Sequence, residues 1–356
     1  MIKQRIEKIQ SELNDTSALL ITSKVNRFYF TGFHSSAGTV IITKKTADFF
    51  IDFRYFEKAK KTVNSCEVHL AENKYKDIFN ILTTQKISDL FVETDTLSIS
   101  KMLVFKKYFE GINILNDDKF SKKIAQMRSV KSENELKLIK QAQKITDETF
   151  SYILNRIYAG RTEKEVMLDM EFYLRSHGAD AVSFDFIVIS GKNTSVPHGT
   201  PTDKIIENGD FVTMDFGAEC SGYRSDMTRT IAVGKADDEQ KNVYNTVLKA
   251  QLLALENIKA GAVCKDIDKM ARDYIYSQGY EGNFGHALGH SVGIEIHEFP
   301  NLNMSDETVL VPGMIETVEP GIYLENKFGV RIEDMVCITE NGCENLTESK
   351  KELIIL

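Results

Sequence analysis

Four carboxylates of the C-terminal half stand in or next to apolar, β-branched runs, and this placement limits the folds open to the chain. They are Asp215, Asp226, Glu319 and Glu333. A carboxylate buried in a strand is costly unless it pairs with a cation or binds a metal ion. The strands that carry these residues must therefore bring them either to one shared cation centre or to separate basic partners.

The spacing of the carboxylates favours two hairpins. One pair flanks residues 217–222 and the other flanks residues 320–329, and both segments are rich in turn-forming residues. Because a short connection between antiparallel strands brings its flanking residues together, each hairpin would contribute two carboxylates. The alternative is that single carboxylates pair with Arg224, Arg229 or Arg331 on neighbouring strands.

His290 adds an imidazole to this set. A catalytic zinc ion commonly takes three protein ligands and a water, whereas five residues with four negative charges suit two divalent ions that share bridging carboxylates. An oxygen-rich set with one imidazole favours manganese, although cobalt, iron or zinc would also bind. The sequence therefore predicts a centre of two divalent metal ions.

Four histidines are candidates for the chemistry. His286, His290 and His297 lie in the Gly-rich segment FGHALGHSVGIEIHE, where Ala287 replaces the glutamate of an H-E-x-x-H zinc motif. We expect His290 to bind metal and the other two to face the substrate. His198, in the loop SVPHGT, is either a proton carrier or an ordinary surface histidine.

The chain of 356 residues is long enough for two cores. In its first part, strand-like runs alternate with amphipathic helical stretches, which predicts an α/β domain. The predicted strands are residues 18–22, 39–43, 48–52 and 90–93, and the predicted helices are residues 2–13 and 55–63.

A basic stretch then leads into a long helix, with Ser132 as N-cap and Glu135 completing a capping box. We place a domain boundary there, giving domains at residues 1–125 and 126–356. The second domain mixes helices with strands and is predicted to be α+β. Its predicted helices are residues 136–157, 162–176 and 238–259, and its predicted strands are residues 184–190, 210–216, 225–233, 314–318 and 330–338.

The composition of the chain restricts the classes of partner that it can bind. A formal charge of -8 argues against a nucleic-acid partner, which favours a basic protein. No stretch is long and apolar enough to span a bilayer, and the five scattered cysteines form no C-x-x-C pair. We therefore expect a cytoplasmic protein with no membrane partner.

Several ordered runs resemble those of the Xaa-Pro peptidases, the prolidase and aminopeptidase P group of pita-bread metallopeptidases. In the C-terminal part these runs are SFDFIVISGKNTSVPHG, MDFGAECSGYRSDMTRT, FGHALGHSVGIEIHE, ETVEPGIY and GVRIEDM. FTGFHSSAG and DFRYFEKA resemble the creatinase-like N-terminal domain that accompanies this fold. The resemblance covers nearly the whole chain.

The resemblance implies roles for the candidate residues. Two metal ions are bound by Asp215, Asp226, His290, Glu319 and Glu333, and Asp226 and Glu333 bridge them. His198 corresponds to a proton-shuttle histidine and His297 to one that contacts the scissile carbonyl, while His286 and Arg331 line the substrate site. Glu319 or Glu333 also handles protons, and the choice of general base stays open.

The implied reaction is hydrolysis of the bond between an N-terminal residue and proline, by a protein that forms a homodimer. Whether dipeptides or longer peptides are preferred stays open. Ala287 and Ser291 stand where the family commonly has glycine, which affects the shape of the pocket.

Three alternatives follow from the same fold. A non-catalytic pita-bread protein that binds peptides or partners and a creatinase-like C–N hydrolase would both lack the five metal ligands. A methionine aminopeptidase would not carry the N-terminal domain.

Overall fold

The computed structural model describes residues 2–356, and the chain divides between Met127 and Arg128 into two units, each with its own core. No helix within residues 2–356 combines the length and the apolar character needed to cross a membrane.

The first unit is built on a six-stranded mixed sheet. Its strands are β1 Ser17–Ile21, β2 Thr39–Thr43, β3 Ala47–Ile51, β4 Glu67–Leu70, β5 Asp89–Val92 and β6 Asn113–Leu115. They lie in the order β4-β3-β2-β1-β5-β6, with β2 antiparallel to both of its neighbours and the other pairs parallel. Its helices are α1 Ile2–Gln10, α2 Lys24–Thr31, α3 Phe53–Thr62, α4 Lys74–Thr84, α5 Ile99–Tyr108 and α6 Lys119–Ser129, and α6 contains the point of division.

Apolar runs explain most of this sheet. Every residue of β1 and β2 is buried, as expected for strands whose two faces are both covered. The four strands predicted from such runs are confirmed to within one residue at each end. Strands β4 and β6 were not predicted, because short sequences such as EVHL carry too little apolar character to indicate a strand.

The second unit places helices against several short sheets. Its helices are α7 Glu133–Leu154, α8 Glu163–Ser176, α9 Asp238–Asn257 and α10 Cys264–Ser277, with a 3-10 turn at Gly191–Ser195. Its strands are β7 Ala181–Val182, β8 Ile187–Ser190, β9 Phe211–Phe216, β10 Ala218–Cys220, β11 Tyr223–Arg224, β12 Met227–Ala232, β13 Gly289–Ser291, β14 Glu298–Leu302, β15 Ile315–Val318, β16 Gly321–Leu324, β17 Phe328–Arg331, β18 Asp334–Ile338 and β19 Cys343–Asn345.

Two apolar cores flank strand β9. Val212 and Met214 pack with residues of α7 and α8, whereas Phe211 packs with residues of α9 and α10. Side chains alternate between the two faces of a strand, so β9 presents one face to each core. The predicted start of α7 is confirmed, because the N–H of Ser132 donates to Glu135 Oε2 at 2.9 Å.

The two predicted hairpins are more elaborate than expected. Strands β9 and β12 pair antiparallel, but the connection between them contains strands β10 and β11. The predicted single strand at residues 330–338 is wrong, because the chain changes partner at Ile332 and Glu333. Strand β17 pairs with β16, whereas β18 pairs with β15. Segment 320–329 therefore contributes to a hairpin of its own.

Candidate metal centre

A cavity of about 780 Å³ in the second unit collects all of the predicted site residues. Its lining includes His198, Asp215, Asp226, His286, His290, His297, Glu319, Arg331 and Glu333. These residues are spread over more than a hundred positions of the chain, and the fold brings them together. Their individual roles stay predictions.

Most of the candidate ligands sit at strand ends. Asp215 lies near the end of β9, and Asp226 stands directly before β12. Glu319 follows the last residue of β15, and Glu333 precedes β18. Because β9 pairs with β12 and β15 pairs with β18, each of these pairs of carboxylates meets at one end of its ladder. His290 is the middle residue of β13.

The ligand-type atoms lie close to one another. Atoms of Asp226, His290 and Glu333 all fall within 4.8 Å of one another. His290 Nε2 is 3.6 Å from Asp226 Oδ2 and 3.4 Å from Glu319 Oε1. The other ring nitrogen of His290, Nδ1, faces the carbonyl of Ser291 at 3.2 Å and therefore carries the proton. The lone pair of Nε2 thus faces the carboxylates.

The charges at this point call for a cation. Burial raises the pKa of Asp226 and Glu333 well above the usual carboxyl range, and the neighbouring carboxylates add to the effect. Burial also raises the pKa of Glu319 to about 8. Asp215 Oδ1 and Glu333 Oε1 are buried oxygens with no hydrogen-bond partner among residues 2–356. Clustered buried carboxylates with unpartnered oxygens fit divalent ions.

Two threonines orient the acidic side chains. The hydroxyl of Thr228 donates to Glu333 Oε2 at 2.7 Å. The hydroxyl of Thr317 donates to Glu319 Oε1 at 3.1 Å and accepts from the backbone N–H of His290 at 3.0 Å. Hydrogen bonds of this kind fix the directions of metal-binding side chains.

Arg331 pairs with a candidate metal ligand, as the alternative of carboxylate–arginine pairing predicted. Its Nη2 donates to Asp215 Oδ2 at 2.5 Å, and its Nη1 donates to the hydroxyl of Tyr323 at 2.8 Å. Its Nε also donates to the hydroxyl of Thr228 at 3.1 Å. The guanidinium is therefore engaged by the protein, which indicates that Arg331 positions Asp215. The other two arginines pair elsewhere, Arg229 with Asp334 and Arg224 with Glu219.

His286 is held in the same network. Its Nδ1 donates to the carbonyl of Ala287 at 2.8 Å, so its Nε2 accepts from the hydroxyl of Tyr323 at 2.9 Å. Burial and then the charge of Arg331 lower the pKa of His286 to about 4, and the ring is neutral. Tyr323 was missed in the sequence, because a single tyrosine in a predicted turn carries no signal of its own.

His198 and His297 are the exposed imidazoles of the cavity. The ring of His297 lies edge-on to that of His290, with centroids 4.4 Å apart. Burial lowers the pKa of His297, and the charge of His198 adds to the effect. His198 and His297 therefore line the same cavity as the candidate metal ligands.

Glu163 secures the loop that carries His198. Its buried carboxylate accepts from the N–H of Ser190 at 2.6 Å and from the N–H of Thr202 at 2.9 Å. It also accepts from the hydroxyls of both residues and from Asn193 Nδ2 at 3.0 Å. Glu163 was missed in the sequence, since a glutamate in the first turn of a helix is common on charge grounds alone.

The fold and this site together define a metal-dependent hydrolase. The chain belongs to metallopeptidase family M24, which residues 137–340 match, and residues 5–130 match the creatinase/prolidase N-terminal domain. Both parts of the predicted fold, an α/β N-terminal domain and a pita-bread catalytic domain, are confirmed.

Named relatives extend over the whole chain. The Xaa-Pro dipeptidase of Pyrococcus furiosus is 37% identical over 356 residues, which are 99% of this chain and 100% of the relative. Among solved structures, the Xaa-Pro dipeptidase from Bacillus anthracis is 42% identical and superimposes with a TM-score of 0.96, covering 100% of both chains. The X-Pro aminopeptidase from Thermotoga maritima is 36% identical, with a TM-score of 0.91 and 99% of both chains covered.

Proposed function

We propose that this protein hydrolyses the peptide bond between an N-terminal residue and proline, with two divalent metal ions as cofactors. The observation that carries the proposal is the buried cluster of four carboxylates and one imidazole in a cavity that also presents His198 and His297. The names of relatives that match the whole chain support the choice of substrate. This cluster also speaks against a binding protein without catalysis.

The residues that would hold the ions are Asp215, Asp226, His290, Glu319 and Glu333. When bound, the ions acidify water and polarise the scissile carbonyl. Manganese is the proposed ion, since four carboxylates and one imidazole form a hard, oxygen-rich set. The four negative charges of the carboxylates also balance the charges of two divalent cations.

Side chains of the cavity would transfer the protons and stabilise the charge that develops on the carbonyl oxygen. The nitrogen of an X-Pro bond carries no hydrogen and leaves as the secondary amine of proline, so it must gain a proton. We assign that proton transfer to His198, which lies on an exposed loop. His297 would donate a hydrogen bond to the carbonyl oxygen as negative charge develops there. Glu319 or Glu333 would accept the proton from the attacking water.

A comparison of substrates tests the proposal. Metal-stripped protein is assayed on Ala-Pro, Ala-Pro-Ala and the control Ala-Ala, with and without added manganese. Manganese-dependent cleavage of Ala-Pro alone indicates a dipeptidase, and cleavage of Ala-Pro-Ala indicates an aminopeptidase. Cleavage of Ala-Ala at the same rate would contradict the proline preference. No cleavage of any peptide by metal-loaded protein would contradict the peptidase assignment.

We also propose a cellular compartment and an oligomeric state for the protein. The five cysteines are free thiols, two of them half-buried and three buried, which supports a reducing compartment such as the cytoplasm. We further propose a homodimer. Leu168 and Phe172 on helix α8 are 58% and 72% exposed, and an apolar pair of this kind supports contact with a second copy. Light scattering of the purified protein measures the assembly directly.

A further inference from the structure

The sheet of the first unit carries a second cluster of ligand-type side chains. Strands β3 and β4 run parallel, with Asp48 opposite Glu67 and Phe50 opposite His69. Side chains alternate along each strand, so these four residues share one face of the sheet. A carboxylate oxygen of Asp48, one of Glu67 and a ring nitrogen of His69 lie within 4.8 Å of one another.

Asp48 is the unusual member of this cluster. It is only 5% exposed, in the interior of the sheet. Its Oδ1 contacts His69 Nε2 at 2.8 Å, whereas its buried Oδ2 has no hydrogen-bond partner within residues 2–356. The neighbouring strand β2 places the apolar Ile41 beside it. A buried carboxylate oxygen without a donor is unfavourable unless a cation satisfies it.

Within residues 2–356, the two carboxylates have no lysine or arginine partner. Across the described residues, neither Asp48 nor Glu67 forms an ion pair with a lysine or an arginine. The carboxylates of Asp48 and Glu67 lie close together, and one imidazole, that of His69, belongs to the same cluster. Such a pair of carboxylates repels unless a positive ion lies between its members.

We propose that Asp48, Glu67 and His69 bind one divalent cation of the zinc class in the first unit. Zinc accepts mixed carboxylate and imidazole ligands, and a fourth position would be filled by water, since Glu67 is exposed. Ligand atoms around a tetrahedral zinc ion are about 3.4 Å apart. This spacing lies between the 2.8 Å that separates Asp48 Oδ1 from His69 Nε2 and the 4.8 Å that bounds the cluster. The ring of Phe50 stacks on His69 with centroids 4.9 Å apart and holds the imidazole in place.

The position of the cluster suggests what the ion does. Among the described strands, β4 lies at the edge of the sheet and pairs with β3 alone. An ion held by Asp48 on β3 and by two residues of β4 would tie this edge to the sheet. The cluster is formed within the first unit and does not depend on the proposed peptidase function.

Zinc counting in the full chain tests the proposal. Metal-stripped protein is loaded with zinc, separated from free ions, and measured by elemental analysis. We expect Glu67→Gln and His69→Gln each to bind about one zinc ion fewer per chain than the natural sequence. The matched control is Glu57→Gln, which changes an exposed glutamate of helix α3 in the same unit and is expected to bind as much zinc as the natural sequence.

Circular dichroism shows whether each variant is folded, and diffraction at the zinc absorption edge locates the ion. An anomalous peak between the three side chains supports the site. Equal zinc content in the natural sequence and both variants would overturn the proposal, as would an equal loss in Glu57→Gln. Because the readout is a difference between variants, it does not change if the peptidase assay fails.

Discussion

Glu163→Gln is expected to destabilise the second unit and to slow the reaction without removing metal. The carboxylate accepts two backbone N–H groups, one on each oxygen, from Ser190 and Thr202. Glutamine keeps only one acceptor oxygen, so one of these N–H groups faces an amide NH₂. Losing one buried acceptor and the charge on the other costs about 2–4 kcal/mol. That corresponds to a fall in melting temperature of roughly 5–15 °C for a unit of this size.

The catalytic effect follows from the loop between the two anchors. His198 lies between Asn193 and Thr202, which both donate to Glu163. A misplaced proton carrier is expected to lower kcat roughly 10- to 100-fold. Metal content should not change, because no proposed ligand lies on this loop. The assays are thermal unfolding, turnover of Ala-Pro and elemental analysis of the same preparation.

Glu165→Gln is the matched control for this experiment. Glu165 lies two residues away on the same helix, is exposed, and accepts the N–H of Thr162 in a capping box that glutamine also forms. Its melting temperature and kcat are expected to stay close to those of the natural sequence. If Glu163→Gln melts and turns over like this control, the reasoning about the loop is refuted. A lower melting temperature with normal kcat would refute only the link to His198.

Three further predictions concern the metal centre. Asp226→Asn should lose metal and activity together, whereas His198→Ala should keep its metal and lose about 10²- to 10⁴-fold in rate. Elemental analysis and kinetic assays of both variants measure this. Full activity of the Asp226 variant would contradict the assignment of Asp226 as a metal ligand. Gly289→Ala would place a Cβ 1.9 Å from the carbonyl oxygen of Thr317, so metal content and melting temperature should both fall. Unchanged values would mean that strands β13 and β15 move apart at no cost. In metal-stripped protein, burial holds the pKa of Glu319 at about 8, above that of the unfolded chain. Stability present at low pH should therefore be lost as pH rises towards about 8, and thermal unfolding with and without manganese measures this; a stripped protein with a melting temperature independent of pH would contradict it.

The clustering of the candidate ligands in one cavity was predictable because these residues stand in short, ordered runs. Asp215 and Glu319 each lie at the end of an apolar strand, which signals a buried carboxylate from the sequence alone. The separation of β17 from β18 was not predictable, because the run VRIEDMVCI is uniformly apolar around its charges and only the partner strands decide where it breaks.

Residues that act through long-range hydrogen bonds could not be predicted from the sequence either. Glu163 contacts residues 27 and 39 positions away, and the hydroxyl of Tyr323 forms hydrogen bonds with both Arg331 and His286. The cluster of Asp48, Glu67 and His69 depends on the register between β3 and β4, which the sequence does not reveal. Partners of this kind are set by the tertiary fold, whereas local patterns indicate only the elements that carry them.

The order of the candidate ligands along the chain also bears on biosynthesis. The strand pair that carries Asp215 and Asp226 is synthesised more than a hundred residues before Glu333, since Glu333 lies later in the chain than either aspartate. Until then the first two carboxylates lack the partners with which they would share metal ions. A nascent chain would thus expose an incomplete acidic pocket, and tight ion uptake would wait until Glu319 and Glu333 have been made. Metal capture would in that way report that all of the proposed ligands have been made.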